Sequence, residues 1–179
     1  MIYKTHYDSP LGGMLLSADD KGLTGLWFDE QKYFAYGLAE SEACEEQENS
    51  ILTEAKHWMD IYFSGKEPDF DLPISLSGTD FQKKVWGILC TIPYGKTMTY
   101  GQIAAQIAAE QGAAHMSAQA VGGAVGHNPL SIIVPCHRVV GANGSLTGYA
   151  GGIDRKVKLL TLEGVDMSRF FVPKKGTAL

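Results

Sequence analysis

Hydrophobic and polar positions fall into two regimes along the chain. Apolar residues alternate or cluster in three short runs, 2–7, 13–18 and 23–28, separated by Ser9-Pro10 with Gly12-Gly13 and by Asp19-Asp20-Lys21-Gly22. Runs of this length bounded by turn formers predict an antiparallel meander. After an acidic stretch, Glu40–Glu48, the period lengthens. Ile51, Leu52, Ala55, Trp58, Met59, Tyr62 and Phe63 follow i, i+3, i+4 spacing, which predicts a helix over 48–64 with its C-cap near Gly65. Phe70–Leu76 predicts a short strand, and Pro73 places it at an edge. Ser77-Gly78 is the expected domain boundary.

From residue 79 the pattern is mainly helical. Thr79-x-x-Gln82 and Thr99-x-x-Gln102 are capping boxes, each opening a helix. The first helix carries Phe81, Val85, Ile88 and Leu89 on one stripe and stops at Ile92-Pro93-Tyr94-Gly95. The second runs to Glu110 and is ended by Gln111-Gly112. Ser117 caps a third helix, Ala118 to Gly126, which ends at His127-Asn128-Pro129 because the residue before a proline avoids the α region. The last two helices outline a helix-turn-helix, with the later one as the recognition helix. Its sequence, Ser117-Ala118-Gln119-Ala120-Val121-Gly122-Gly123-Ala124, contains no Lys or Arg. Glycine inside a helix costs about 1 kcal/mol, so Gly122 and Gly123 need a reason, and close approach to another backbone, protein or nucleic acid, supplies one. Without an arginine to read the major groove, such a bare helix suits a narrower groove.

The remaining pattern is shorter. Ile132-Ile133-Val134 predicts a buried strand that Pro135 ends. Asn143-Gly144 is a turn signal. Thr147-Gly148-Tyr149-Ala150-Gly151-Gly152 lacks the lysine and spacing of a phosphate loop; it suits backbone approach to a flat ligand, with Tyr149 as one wall. A last amphipathic helix spans Ile153 to Glu163 and ends at Gly164, and the tail Met167–Leu179 is expected to be poorly ordered. Together these elements predict an α+β chain. Residues 1–78 form a small antiparallel sheet with a helix, and residues 79–179 form a mostly helical second domain.

Charge sharpens that division. Residues 1–78 hold 5 Lys/Arg and 15 Asp/Glu (−10), while residues 79–179 hold 10 and 5 (+5), giving the net −5 of the chain. The net charge by itself argues against nucleic acid, but the asymmetry directs any polyanion to the second domain. Three cysteines, Cys44, Cys90 and Cys136, are an odd number at no metal-ligand spacing, so neither a disulfide framework nor a zinc site is expected. No apolar run approaches a membrane span, and Met1–His6 has no secretory pattern. A soluble, cytoplasmic protein of a reducing compartment is the expectation. His6 and His57 have no evident partners. The one chemical constellation is Pro135-Cys136-His137-Arg138. A thiol beside an imidazole and a guanidinium is a recipe for a reactive thiolate, and it is equally a small buried apolar residue. These residues alone leave both readings open.

A family resemblance decides between them. Phe81-Gln82-x-x-Val85-Trp86, Ile92-Pro93-Tyr94-Gly95, Thr99-Tyr100, Ala120-Val121-Gly122, Asn128-Pro129, Pro135-Cys136-His137-Arg138-Val139, Gly148-Tyr149-x-Gly151-Gly152, Leu159-Leu160 and Glu163-Gly164 occur in the order found in O6-alkylguanine-DNA alkyltransferases, which residues 80–164 closely resemble. The resemblance implies a ribonuclease H-like N-terminal domain and a winged helix-turn-helix-like catalytic domain. It implies irreversible, stoichiometric transfer of the O6-alkyl group from guanine in duplex DNA to the protein's own Cys136, with O4-methylthymine as a second candidate substrate. Cys136 would be the acceptor, with His137 (acting through a water) and Glu163 activating it. Asn128 would hold the site's hydrogen bonds, and Tyr100 would donate to the departing guanine. Val139, Tyr149, Ala150 and Lys156 would hold the base. Ser117, Ala118, Gln119, Gly122, Gly123 and Arg138 would meet double-stranded DNA in the minor groove. The chain would act as a monomer without cofactor or metal, since the zinc ligands of some relatives are absent. Gln119 stands where the family usually has an arginine finger, which implies weaker DNA affinity and a shallower salt dependence. Three other readings remain: a non-catalytic lesion binder, a helix-turn-helix regulator with a sensing cysteine, and a Cys-His hydrolase that turns over.

Overall fold

A computed structural model describes residues 1–38, 44–45 and 47–174. Part of the acidic stretch Glu40–Glu48 lies outside them. The chain forms two compact units: residues 1–78 with Pro129–Ser131, and residues 79–128 with 132–179.

In the first unit, β1 (Ile2–Ser9), β2 (Gly12–Ala18) and β3 (Leu23–Phe28) form the antiparallel meander, and the two-residue β4 (Cys44–Glu45) adds parallel to β1. Helix α1 (Ser50–Phe63) is capped by Asn49, whose side chain accepts from the Leu52 N–H at 3.0 Å. It buries Leu52, Ala55, Met59 and Tyr62, the face that the spacing predicts. These pack in a core with Met14, Leu16, Leu23, Leu26 and Phe28. Phe70–Leu76 is not a strand. It makes one bridge, Leu23 to Ile74, through Leu23 N–H to Pro73 O and Ser75 N–H to Leu23 O, both 2.8 Å. Pro73 has no N–H of its own, so the ladder cannot extend along that edge. Pro129–Ser131 bridges Leu26 in the same way.

The second unit holds α2 (Asp80–Leu89), α3 (Tyr100–Glu110), α4 (Ala118–Gly126) and α5 (Ile153–Leu162). Both capping boxes are formed, with Thr79 and Gln82, and then Thr99 and Gln102, exchanging side-chain and backbone bonds. Ser117 caps α4. Trp86 of α2 donates to Ala124 O of α4 at 2.9 Å, which fixes the helix-turn-helix from behind. The small sheet here is parallel: β5 (Met98–Thr99) pairs with β6 (Val139–Val140).

Two expectations fail in this unit. Ile132–Val134 is a turn rather than a strand. Ile132 has φ 71°, a left-handed conformation that a β-branched residue adopts at a cost of about 1–3 kcal/mol. Ile132 and Val134 are buried, Ile133 is half-buried, and the strand that pairs with β5 is Val139–Val140 instead. The tail is also more ordered than expected. Met167–Arg169 forms a 3-10 turn, and Leu146 N–H to Phe171 O (2.9 Å) and Phe171 N–H to Gly144 O (3.0 Å) tie it down. Met167 and Phe170 cover Val140, Leu146 and Leu160. Residues 175–179 lie outside the described set.

Candidate active site

The site is built around a tight turn. Pro135, with φ −81° and ψ 67°, is the centre of an inverse γ-turn closed by Cys136 N–H to Val134 O at 2.8 Å. The proline is therefore a hinge between Val134 and Cys136 rather than a strand terminator. Cys136, His137 and Arg138 form the 3-10 turn that follows and lead into β6. Asn128, buried just after α4, donates to Val134 O at 2.8 Å and also hydrogen-bonds Cys136. One amide thus fixes both ends of the γ-turn.

His137 and Glu163 are separated by 26 positions and meet at 2.5 Å through Nε2 and Oε2, with both side chains fully buried. Glu163 caps the end of α5. Its other oxygen accepts from Arg138 Nε at 2.7 Å and from the Gly95 N–H at 3.1 Å. Arg138 also donates to Ile92 O at 2.7 Å and lies over the Tyr94 ring. Burial works against the Glu163 carboxylate, but hydrogen bonds from His137 and Arg138 and the charge of Arg138 outweigh it and hold its pKa at about 2. Burial lowers the His137 pKa. Glu163 opposes that shift, while Arg138 and Lys156 reinforce it. The imidazole is thus neutral. It donates through Nε2 to the carboxylate, leaving buried Nδ1, which has no partner among the described residues, as the basic nitrogen. Burial raises the Cys136 pKa, opposed by Asn128, by the charge of Lys156 and by the Cys136 and His137 N–H groups. At rest Cys136 is a thiol beside a neutral base.

Tyr100, in the first turn of α3, has its hydroxyl 2.9 Å from Gly148 O and 3.1 Å from Thr147 O. Burial, with the Cys136 charge added, raises its pKa, so it stays a donor. Gly148 has φ 65°, and a Cβ there would sit 3.1 Å from the Tyr100 oxygen, so that glycine admits the hydroxyl. Tyr149 is buried and Ala150 half-buried in the same loop. Lys156 is wholly buried and donates to Val139 O and, at 3.0 Å, to Thr147 O.

The structure therefore gathers Cys136, His137, Glu163, Asn128, Tyr100, Val139 and Lys156 around one turn and one loop. Ser117, Ala118, Gln119 and Gly123 are exposed on α4, and Gly122 is partly so. A Cβ at Gly123 would meet nothing within 4 Å, so no intramolecular packing requires that glycine. Arg138, expected with them on DNA, does not join these exposed residues. It is buried, and its guanidinium is spent on Glu163, Ile92 O and the Tyr94 ring, because Glu163 is the carboxylate its fork can reach. Sequence reasoning missed the Gly95 N–H as a support of Glu163, and Ile92 O and the Tyr94 ring as supports of Arg138. The Ile-Pro-Tyr-Gly turn was their only signal; Gly95 has φ 74°, and its Cβ would stand 3.0 Å from Glu163 O. Among the described residues, no cluster of His, Cys, Asp and Glu is placed to hold a metal, and no helix is long and apolar enough to cross a membrane.

The second unit thus holds both a helix-turn-helix and a buried Cys136, His137 and Glu163 cluster, and comparison with known proteins supplies the class. Residues 2–76 match the ribonuclease-like domain of 6-O-methylguanine DNA methyltransferase, and residues 80–165 match its DNA binding domain. A methylated-DNA–protein-cysteine methyltransferase of Mycobacterium bovis is 47% identical over 163 residues, 91% of this chain and 93% of that protein. One of Methanosarcina acetivorans is 42% identical, covering 91% of this chain and 99% of that one. The crystal structure of the Mycobacterium tuberculosis O6-methylguanine methyltransferase has a TM-score of 0.75 at 43% identity, covering 98% of this chain and 97% of that one. The same enzyme in complex with DNA also has a TM-score of 0.75, covering 94% of both chains. The chain belongs to the 6-O-methylguanine DNA methyltransferase family, the alkyl-transferring enzymes of DNA repair.

Proposed function

We propose that the protein repairs duplex DNA by moving the O6-alkyl group of guanine irreversibly onto Cys136, once per molecule. The observation that carries this reading is the buried Cys136 thiol on a rigid turn, flanked by a neutral His137 held at 2.5 Å by Glu163. His137 Nδ1 takes the thiol proton, through a water. The thiolate sulfur attacks the alkyl carbon, an S–C bond forms and the O6–C bond breaks. The electron pair left on the purine is neutralised by a proton at N1, so one proton leaves the thiol and one ends on guanine. Tyr100 donates to the base as this charge develops, which lowers the barrier. In the present state its hydroxyl lies against Gly148 O and Thr147 O, so it must exchange that bond for one to the base.

A base inside the stack is out of reach and must be flipped, at a cost of a few kcal/mol. Exposed α4 enters the minor groove, Ser117, Ala118, Gly122 and Gly123 permit close approach, and Gln119 hydrogen-bonds the orphaned partner base. Tyr149 packs on the flipped guanine, and the Val139 and Ala150 backbone meets its edge. Residues 79–179 serve as the DNA-binding and transfer domain. The protein acts as a monomer in a reducing cytoplasm, where the thiol is preserved.

Intact-protein mass after incubation with an O6-methylguanine duplex tests the reaction. One methyl per molecule, mapped to Cys136, with unmodified guanine left in the DNA, is expected; repeated turnover without an adduct refutes it. A parallel duplex with O4-methylthymine decides the second substrate.

A further inference from the structure

Lys156 is the buried group that the reaction above leaves unused. Its side chain is fully enclosed, and its ammonium donates to Val139 O and Thr147 O. Among the described residues it forms no ion pair with a carboxylate. The nearby buried carboxylate, Glu163, is taken on one oxygen by Arg138 and on the other by His137. Counting formal charges, Arg138 supplies +1, Glu163 −1 and Lys156 +1, with His137 neutral, so the buried cluster carries one uncompensated positive charge. Buried charges are expensive unless paired, and two carbonyl dipoles are a partial answer only. The site contains one further group able to become an anion, the Cys136 thiol. Its turn runs directly into Val139, whose carbonyl holds the ammonium, and Val139 N–H closes back on Cys136 O.

We propose that Lys156 is the counter-cation of the Cys136 thiolate, placed by the Val139 and Thr147 carbonyls so that ionising the thiol completes a charge pair. This rests on the alkyl-transfer reading and divides its labour. Neutral His137 removes the proton, and Lys156 stabilises what remains. Lys156 is thus a positioning and electrostatic residue rather than one that touches the alkyl group. The electrostatics agree: burial brings the Lys156 pKa down to about 8, and the Cys136 charge opposes that fall. The other charged or titratable groups facing the pair are His137 on the same turn, Tyr100 from α3, and Glu163 at the end of α5 with its Arg138 partner. Arg138 and Glu163 offset each other, and Tyr100 stays protonated, so Lys156 is the positive charge left for the thiolate.

The test separates this idea from the repair reading by using a readout without DNA. Lysine carrying a ¹³C label at Cε is titrated by NMR in the wild-type chain and in Cys136→Ser. The expected result is that Lys156 loses its proton at lower pH in Cys136→Ser, because the thiolate that retained it is gone. An unchanged titration overturns the proposal even if repair proceeds. The second arm follows the pH dependence of Cys136 alkylation by iodoacetamide, located by peptide mass, and of single-turnover methyl transfer, in Lys156→Gln and Lys156→Met. Gln keeps an N–H donor for the carbonyls without the charge. Both variants should ionise Cys136 at higher pH and transfer on the order of 10-fold to 100-fold more slowly at neutral pH. A Lys156→Gln protein with the wild-type pH profile would mean that the lysine merely braces the two carbonyls.

Discussion

The two units bury polar groups of opposite kinds. Among the described residues, the buried polar side chains of the first unit are Ser17, Gln31 and Ser131, all neutral and all paired nearby: Ser17 with Thr24 at 2.7 Å, Gln31 with the Phe28 N–H at 2.9 Å and with Ser131 at 3.1 Å. Those of the second unit are Asn128, His137, Arg138, Lys156 and Glu163. A neutral buried hydroxyl or amide needs one or two partners and then costs little. Buried ions need a network, and networks of that kind often replace apolar packing at no gain in stability. Perturbed ionisable groups concentrate where chemistry is done. The comparison teaches that the first unit is built to fold and the second to hold charges in place.

The strongest attack on this contrast is Cys136→Ala. Methyl transfer should vanish completely, while DNA binding persists, as measured by mass and by gel shift. Next is Glu163→Gln, which leaves His137 without its carboxylate and Arg138 without its counter-charge. The transfer rate should fall about 10²- to 10⁴-fold, the usual worth of a positioned base, and stability by about 3–5 kcal/mol. Denaturant unfolding and single-turnover kinetics would register both. In the first unit Leu52→Ala should cost a similar 2–5 kcal/mol through a cavity yet leave the transfer rate of the folded protein unchanged. A comparable loss of rate would break the division.

Acid provides a subtler probe. Glu163 has a folded pKa of about 2, below its ordinary 4.5, so it binds fewer protons folded than unfolded across that interval. Its contribution is fully present above 4.5 and is lost as pH falls through about 2. His137, also depressed, loses its contribution in the same direction as pH drops below its ordinary 6.5. Glu163→Gln should therefore flatten the acid limb of the stability curve, whereas Ser17→Ala, worth about 1 kcal/mol, should shift the curve without changing its shape. The smallest expected effect is on the exposed face of α4, the proposed DNA contact. Gln119→Ala should weaken DNA binding a few-fold, and Gln119→Arg should tighten it and steepen the salt slope by about one. If Gln119→Ala leaves both affinity and repair rate unchanged, the residue has no part in flipping.

Much of the fold was legible because its signals are local. A capping box is a reciprocal bond across three residues, and Thr79 with Gln82 and Thr99 with Gln102 form it as their spacing requires. The face of α1 follows from its periodicity, and the meander from its turn residues. The errors have a common origin. Ile132–Val134 has strand chemistry but no partner strand among the described residues, and Asn128 takes the Val134 carbonyl instead. Phe70–Leu76 was read from the same kind of run, and Pro73 limited it to one bridge. Apolar, β-branched character reports burial, and pairing depends on what lies alongside.

The site divides along the same line. The residues themselves singled out Cys136 and His137, and the family resemblance added Asn128 and Glu163. Adjacency set the thiol beside an imidazole and a guanidinium, and only the tertiary fold decided how each was used. Arg138, adjacent to His137 in sequence, was expected on DNA and is instead turned inward onto Glu163 at 2.7 Å. Lys156, one cation among several in the last helix, became the enclosed one. Local backbone bonds and periodic burial are settled within a few residues, so the sequence determines them. Where a long charged side chain ends depends on which acceptors and which dielectric it meets across tens of residues, and those exist only once the chain has folded.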